Sequence, residues 1–91
     1  MIIKPKTIEL QSTLYSVHSY IVTTGDREFL YREYLDFDDI VTNAYLLNED
    51  GKDVTESCMF FVREIQQMLD ETATSTIMYK RRQPLGDTVT H

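Results

Sequence analysis

Tryptophan is absent, cysteine occurs once, and only three glycines and two prolines punctuate the ninety-one residues. A single cysteine, Cys58, excludes an internal disulfide and fits a reducing compartment. Gly25, Gly51 and Gly86 are isolated, so no glycine-rich phosphate loop can form, and neither a G-x-S-x-G turn nor a recognisable cysteine–histidine pattern occurs. His18 and His91 stand near opposite ends of the chain, and no two of His18, Cys58 and His91 have metal-ligand spacing. The run NEDGKD is not a calcium loop, because Gly51 at the sixth loop position would put Leu46 at the first. The adjacent carboxylates Asp38–Asp39 and Asp70–Glu71 read as solvated, the wrong setting for raising an acid's pKa. No residue set spells out a reaction, and the expectation is a protein that is not an enzyme and needs neither metal nor cofactor. Long apolar runs are missing too: none approaches the roughly 18–20 residues that span a bilayer. The start MIIKPKTIEL places Pro5 and two lysines where a signal peptide would be apolar. The expected location is the cytoplasm.

What is present is enough apolar surface to fold. The hydrophobic fraction is 42%, with six tyrosines and four phenylalanines, too much for a disordered acidic tail. One domain covering 1–91 is expected, with 83–91 a loose tail. LYSVHSYIVTT, Leu14 to Thr24, alternates Tyr15, Val17, Ser19 and Ile21 against Leu14, Ser16, His18, Tyr20 and Val22. EFLYREYLDF alternates Phe29, Tyr31, Glu33 and Leu35 against Leu30, Arg32 and Tyr34, and Gly25–Asp26 supplies the turn of a hairpin. A first strand over about Ile2 to Leu10 could pair outside it, Pro5 confining it to an edge or a strand start. Phe37, Ile40, Val41, Ala44, Tyr45 and Leu47 fit a helical stripe capped by Asp36 or Asp38, although NAYLLNEDGKD also reads as a short strand entering a turn. Asp53 and Glu56 have capping-box spacing ahead of a helix from about Val54 to Glu71, its apolar face formed by Cys58, Phe61, Val62, Ile65, Met68 and Leu69. STIMYKRR, Ser75 to Arg82, reads as a final strand. The fold class is α+β, a small antiparallel sheet of three to four strands packed against one or two helices.

Positive charge is scarce in the middle of the chain. From Glu33 to Glu56 there are eight acids and one base, Lys52, and residues 26–71 carry a net charge of −9 against −6 for the whole chain. Such a potential repels nucleic acid and anionic membrane and attracts basic protein surfaces. The basic triplet Lys80-Arg81-Arg82 beside Tyr79 is too small a counterweight to make a nucleic-acid binder. Duplex DNA presents one phosphate charge per about 1.7 Å of axis. Carboxylates could imitate that array only if held on rigid elements. Asp36 and Asp38 would lie on one face of a strand, and Glu56, Glu64 and Glu71 on one side of the long helix.

With its start MIIKPKTIELQSTLY, its tyrosine-rich strands and the segment LDFDDIVTNAYLLNEDGKDVTES, the chain resembles the small anti-restriction nuclease proteins of T-even phages across its whole length. The resemblance implies a DNA mimic that acts as a homodimer. Its carboxylates would occupy the DNA-binding surface of a McrBC-type restriction endonuclease, with a histone-like nucleoid protein as a second partner. The phosphate surrogates would be drawn from Glu33, Asp36, Asp38, Asp39, Glu49, Asp50, Asp53, Glu56, Glu64, Asp70 and Glu71. Asp53 is equally suited to capping a helix. A small acidic adaptor, binding a basic patch without imitating DNA, is the competing expectation. Surface tyrosines would serve a dimer interface, where that residue is favoured.

Overall fold

The computed structural model describes residues 1–11 and 15–75, the side chains of 72–75 excepted. Strands β1 (Ile2–Leu10), β2 (Tyr15–Thr24), β3 (Arg27–Asp36) and β4 (Val41–Leu47) form one antiparallel sheet in sequential order, followed by helix α1 (Met59–Ser75). The α+β expectation holds, with four strands and one helix among the described residues. No helix among them is long and apolar enough to cross a membrane. The strand expected over 75–82, the basic triplet Lys80-Arg81-Arg82 and the tail lie outside the described residues, except that Ser75 closes α1.

The expected alternation decides which side of the sheet the helix covers. In the β2–β3 register Val22 faces Phe29, Tyr20 faces Tyr31, His18 faces Glu33 and Ser16 faces Leu35. Tyr20, Val22, Phe29, Tyr31 and, from β4, Leu46 join Val62, Ile65 and Leu69 of α1 in one buried cluster, with Cys58 and Phe61 packed against it. Phe61 lies 5.2 Å from Phe29, ring centre to ring centre, which fixes the start of the helix over the β2–β3 turn end of the sheet. The opposite face carries Tyr15, Tyr34 and Tyr45, with Tyr15 stacked on Tyr34 at 6.1 Å and Tyr45 meeting Tyr34 edge-on at 5.6 Å. No described element covers that face.

Two segments settle differently from their helical readings. Of the helix and the short strand that the sequence left open here, residues 41–47 form the strand. Leu47 pairs with Leu30, Leu46 with Tyr31 and Ala44 with Glu33, then the register slips so that Val41 pairs with Leu35. The bulge leaves Thr42 as the extra residue and returns Val41 to the helix-covered face, so the positions on that face run 41, 44, 46, with Ala44 partly buried. Spacing of three at a bulge imitates helical spacing, which is why the stripe misleads. Asp36 and Asp38 cap no helix: the Asp36 carboxylate accepts the backbone N–H groups of Asp38 and Ile40 at 2.9 and 3.0 Å, closing the β3–β4 turn. Helix α1 in turn begins at Met59, five residues after Val54. Residues 55–58 are a separate turn, in which the Cys58 N–H bonds the Val54 carbonyl at 3.0 Å.

Glu33 is fully buried on the helix-covered face, where the Tyr31 hydroxyl donates to its Oε2 at 2.8 Å. Its expected role as a surface phosphate surrogate is therefore overturned. Strand alternation had already placed it with Phe29, Tyr31 and Leu35. A buried carboxyl deprived of a donor keeps its desolvation cost and loses its compensation. Tyr31→Phe should accordingly lower the unfolding free energy by about 1–3 kcal/mol, measured by urea denaturation, whereas Tyr45→Phe on the open face should leave it within about 0.5 kcal/mol of wild type.

Candidate functional site: an acidic end of the sheet

Because each strand reverses the last, successive connections alternate between the two ends of the sheet. The β2–β3 turn and the β4–α1 connection share one end, and the β3–β4 turn lies at the other. β4 spans seven residues, so the two ends are about 20 Å apart along it at roughly 3.3 Å per residue. The expected carboxylates are divided accordingly. Asp36, Asp38 and Asp39 occupy one end; Glu49, Asp50, Asp53 and Glu56 occupy the other.

That second end gains two carboxylates that reading along the chain missed. Asp26 in the β2–β3 turn and Glu28 at the start of β3 come alongside Glu49, and the three line a recess of about 530 Å³ with Lys6, Ile21, Phe29, Leu30 and Asn48. Asp26, Glu28, Glu49, Asp50, Asp53 and Glu56 are all exposed. The signal was available in the hairpin, since antiparallel register returns the chain to the same end every second connection. Lys6, Arg27 and Lys52 are the bases among these acids; Arg27 reaches Glu49 at 3.9 Å with both side chains more than half exposed, and its guanidinium lies 4.9 Å from the Phe29 ring centre. A solvated ion pair of this kind is worth at most about 1 kcal/mol, and the six acids still outnumber the three bases.

Hydrogen bonds hold these carboxylates on ordered backbone. Asn48 Oδ1 accepts the N–H groups of Asp50 and Lys52 at 2.9 and 3.0 Å, and the Gly51 N–H bonds the Asn48 carbonyl at 2.9 Å. The β3–β4 turn uses the same pattern, Asp36 taking the place of Asn48. Asp39 (φ +62°) stands where the second turn has Gly51 (φ +79°), a left-handed conformation that aspartate tolerates and glycine favours. The Asp36 carboxylate is thus engaged in its turn, and Asp38 lies beyond the end of β3, so the two do not form the expected strand-face pair.

Asp53 does act as a cap, for the turn at 55–58: it accepts the Thr55 hydroxyl at 2.6 Å and the Thr55 N–H at 2.9 Å. These two bonds, the hydroxyl's first, hold the Asp53 carboxyl below its ordinary pKa. Thr55 Oγ1 in turn accepts the Leu46 N–H at 2.8 Å, and the Val54 N–H bonds the Leu46 carbonyl at 2.8 Å, so the free edge of β4 is closed by the segment carrying Asp53. On α1, Glu64 and Glu71 are exposed and seven residues apart, with Gln67 between them donating to Glu71 at 3.5 Å. Glu56 precedes the helix, so the expected three-member row has two members on α1. Asp70 is half-buried on a neighbouring side. Among the described residues no His, Cys, Asp and Glu side chains group to hold a metal ion. No protein-family model, curated protein or solved structure matches the chain.

The Asp53–Thr55 pair makes a signed prediction. A carboxyl whose folded pKa is depressed contributes stability above its unfolded pKa and loses it as pH falls through the folded one. Wild type should therefore lose stability below about pH 3.9 more steeply than Asp53→Asn, compared by thermal melts from pH 6 to about pH 2. Thr55→Val, which leaves the Leu46 N–H without its acceptor, should cost about 1–2 kcal/mol at neutral pH.

Proposed function

We propose that this chain is a DNA mimic whose acidic end occupies the DNA-binding surface of a host restriction endonuclease of the McrBC type, making it an anti-restriction protein. The observation that carries the reading is the gathering of Asp26, Glu28, Glu49, Asp50, Asp53 and Glu56, all exposed, at one end of the sheet. The turns bearing Glu49, Asp50, Asp53 and Glu56 are closed by backbone N–H groups donating to the Asn48 and Asp53 side chains. Fixed carboxylates lose little conformational freedom on meeting arginines and lysines arranged for phosphates, and each charge-assisted bond that is desolvated adds affinity. The summed field raises the association rate and makes it salt-dependent. Asp38 and Asp39 at the far end, with Glu64 and Glu71 on the helix, extend the negative surface. Asp36 and Asp70 contribute to the field rather than to direct contact. A histone-like nucleoid protein, which also reads the DNA backbone, is a second partner of the same chemistry.

A second copy docks on the open face of the sheet in this reading. Tyr15, Tyr34 and Tyr45 give that face an aromatic centre, and its charges are close to balanced, with Lys4 and Arg32 standing among Glu9, Glu28 and Asp36. Tyrosine suits such interfaces because one large amphipathic ring supplies area at low entropic cost. Tyr34→Lys should convert the dimer to a monomer in sedimentation velocity; an unchanged sedimentation coefficient would place any interface elsewhere.

Combined reversal of Glu28, Glu49, Asp50 and Glu56 to lysine should abolish inhibition of the endonuclease while preserving the far-ultraviolet circular dichroism and melting temperature. Inhibition that survives these four reversals sinks the mimic reading. Competition separates it from the acidic adaptor: random-sequence duplex DNA must release the captured partner from a mimic and leave an adaptor's partner in place.

A further inference from the structure

Phosphate imitation needs carboxylates and has no use for exposed aromatic rings, yet both acidic ends carry one. Phe60, in the first turn of α1, is 88% exposed, and the adjacent Met59 is 40% exposed. Glu64 lies one helical turn further on the same side, and Glu56 precedes Phe60 by four residues in the turn leading into the helix. Arg63 stands at i+3. At the opposite end Phe37, in the β3–β4 turn, is 72% exposed and flanked by Asp36, Asp38 and Asp39. The other two phenylalanines lie inward: Phe29 is buried and Phe61 packs against the core. Next to Phe61 the sequence had a neighbouring helical position for any polar residue, and a phenylalanine stands there in open solvent.

Resting on the reading that the acidic ends dock on basic surfaces, we propose that Phe60 and Phe37 are apolar anchors, so that the true partner is a basic protein surface with an apolar recess among its lysines and arginines. The carboxylates supply long-range attraction to any phosphate-binding surface. The rings supply what DNA cannot, a desolvated contact that selects among DNA-binding proteins. A ring held between carboxylates is well placed for this, because the acids pair with the basic rim while the ring fills the recess, the arrangement of a central anchor enclosed by polar contacts. Charge complementarity fixes the occupant's sign, and the exposed ring area fixes its apolar component. Another copy of this chain is excluded at these ends by the like charge of Glu56, Glu64 and Asp53 against their own equivalents.

The test uses the full chain and two fluorescent peptides of equal length and equal lysine content, one with serines and one with leucines between the lysines, followed by anisotropy at low salt. Wild type should bind the leucine peptide about tenfold more tightly, the gain of one well-buried anchor. Phe60→Ala combined with Phe37→Ala should erase that gap, leaving the serine peptide's affinity and the melting temperature unchanged, and Phe60→Leu with Phe37→Leu should restore most of it. Equal affinity of wild type for both peptides, or a gap that survives the double alanine variant, overturns the proposal. Failure of the wider mimic reading looks different: the serine peptide's affinity would then be indifferent to the four lysine reversals, whatever the two phenylalanines do.

Discussion

Everything about the charged surface depends on the sheet being a simple antiparallel meander. In such a sheet each connection lies at the end opposite to its predecessor, so acids close in sequence are parted and acids far apart are joined. Asp36, Asp38 and Asp39 precede Glu49 by little more than a strand's length, and yet the two groups sit at opposite ends. Asp26 precedes β3 and Glu28 stands at its start, with the rest of β3 and all of β4 before Glu49, and they share a recess with it. Topology, and not local composition, determines which carboxylates can act together.

The same alternation that organises the fold also removes Glu33 from the charged surface. Period-two patterning assigns Phe29, Tyr31, Glu33 and Leu35 to one side, and three apolar members force the fourth into the core with them. A carboxyl there needs internal partners, and Tyr31 is one. Counting acids along a chain overestimates a negative surface wherever an acid shares its strand face with the core. The neighbouring Arg32, on the other face, is retained as a cation among tyrosines. The open face is consequently less acidic than the two ends, and Glu28, which belongs to both the open face and the recess, joins the two surfaces.

The hairpin, both faces of β2 and β3 and the buried side of α1 were legible in the sequence because unbroken periodicity carries them. Legibility ended where one extra residue broke the period. Thr42 in β4 shifts Val41 relative to Ala44 and Leu46, and the resulting spacing matches a helix as well as a strand. The helix start was misplaced for a related reason: Asp53 and Thr55 form a genuine cap, but it closes a turn that also seals the edge of β4, and α1 begins only after it. In the candidate site Glu49, Asp50, Asp53 and Glu56 were found from composition. Asp26 and Glu28 were not, because they belong to the group only through strand pairing.

Under the DNA-mimic proposal, rigid placement is what separates a phosphate surrogate from ordinary acidity, and the turn backbones here are ordered by a small set of polar side chains. Asn48 and Asp36 close their turns in the same way, each accepting two backbone N–H groups with a left-handed residue completing the bend. Asp36 does so with one oxygen of a carboxylate that keeps its charge. Asn48 does it with a neutral amide, so no acid is used to close its turn. The end built on Asn48 carries the larger number of exposed carboxylates on an equally ordered backbone. Adding Asp26 and Glu28 from the neighbouring hairpin makes it the end with the most exposed carboxylates. The adjacent exposed Phe60 then distinguishes that end from a stretch of duplex, since a phosphate backbone offers no aromatic ring to a protein recess.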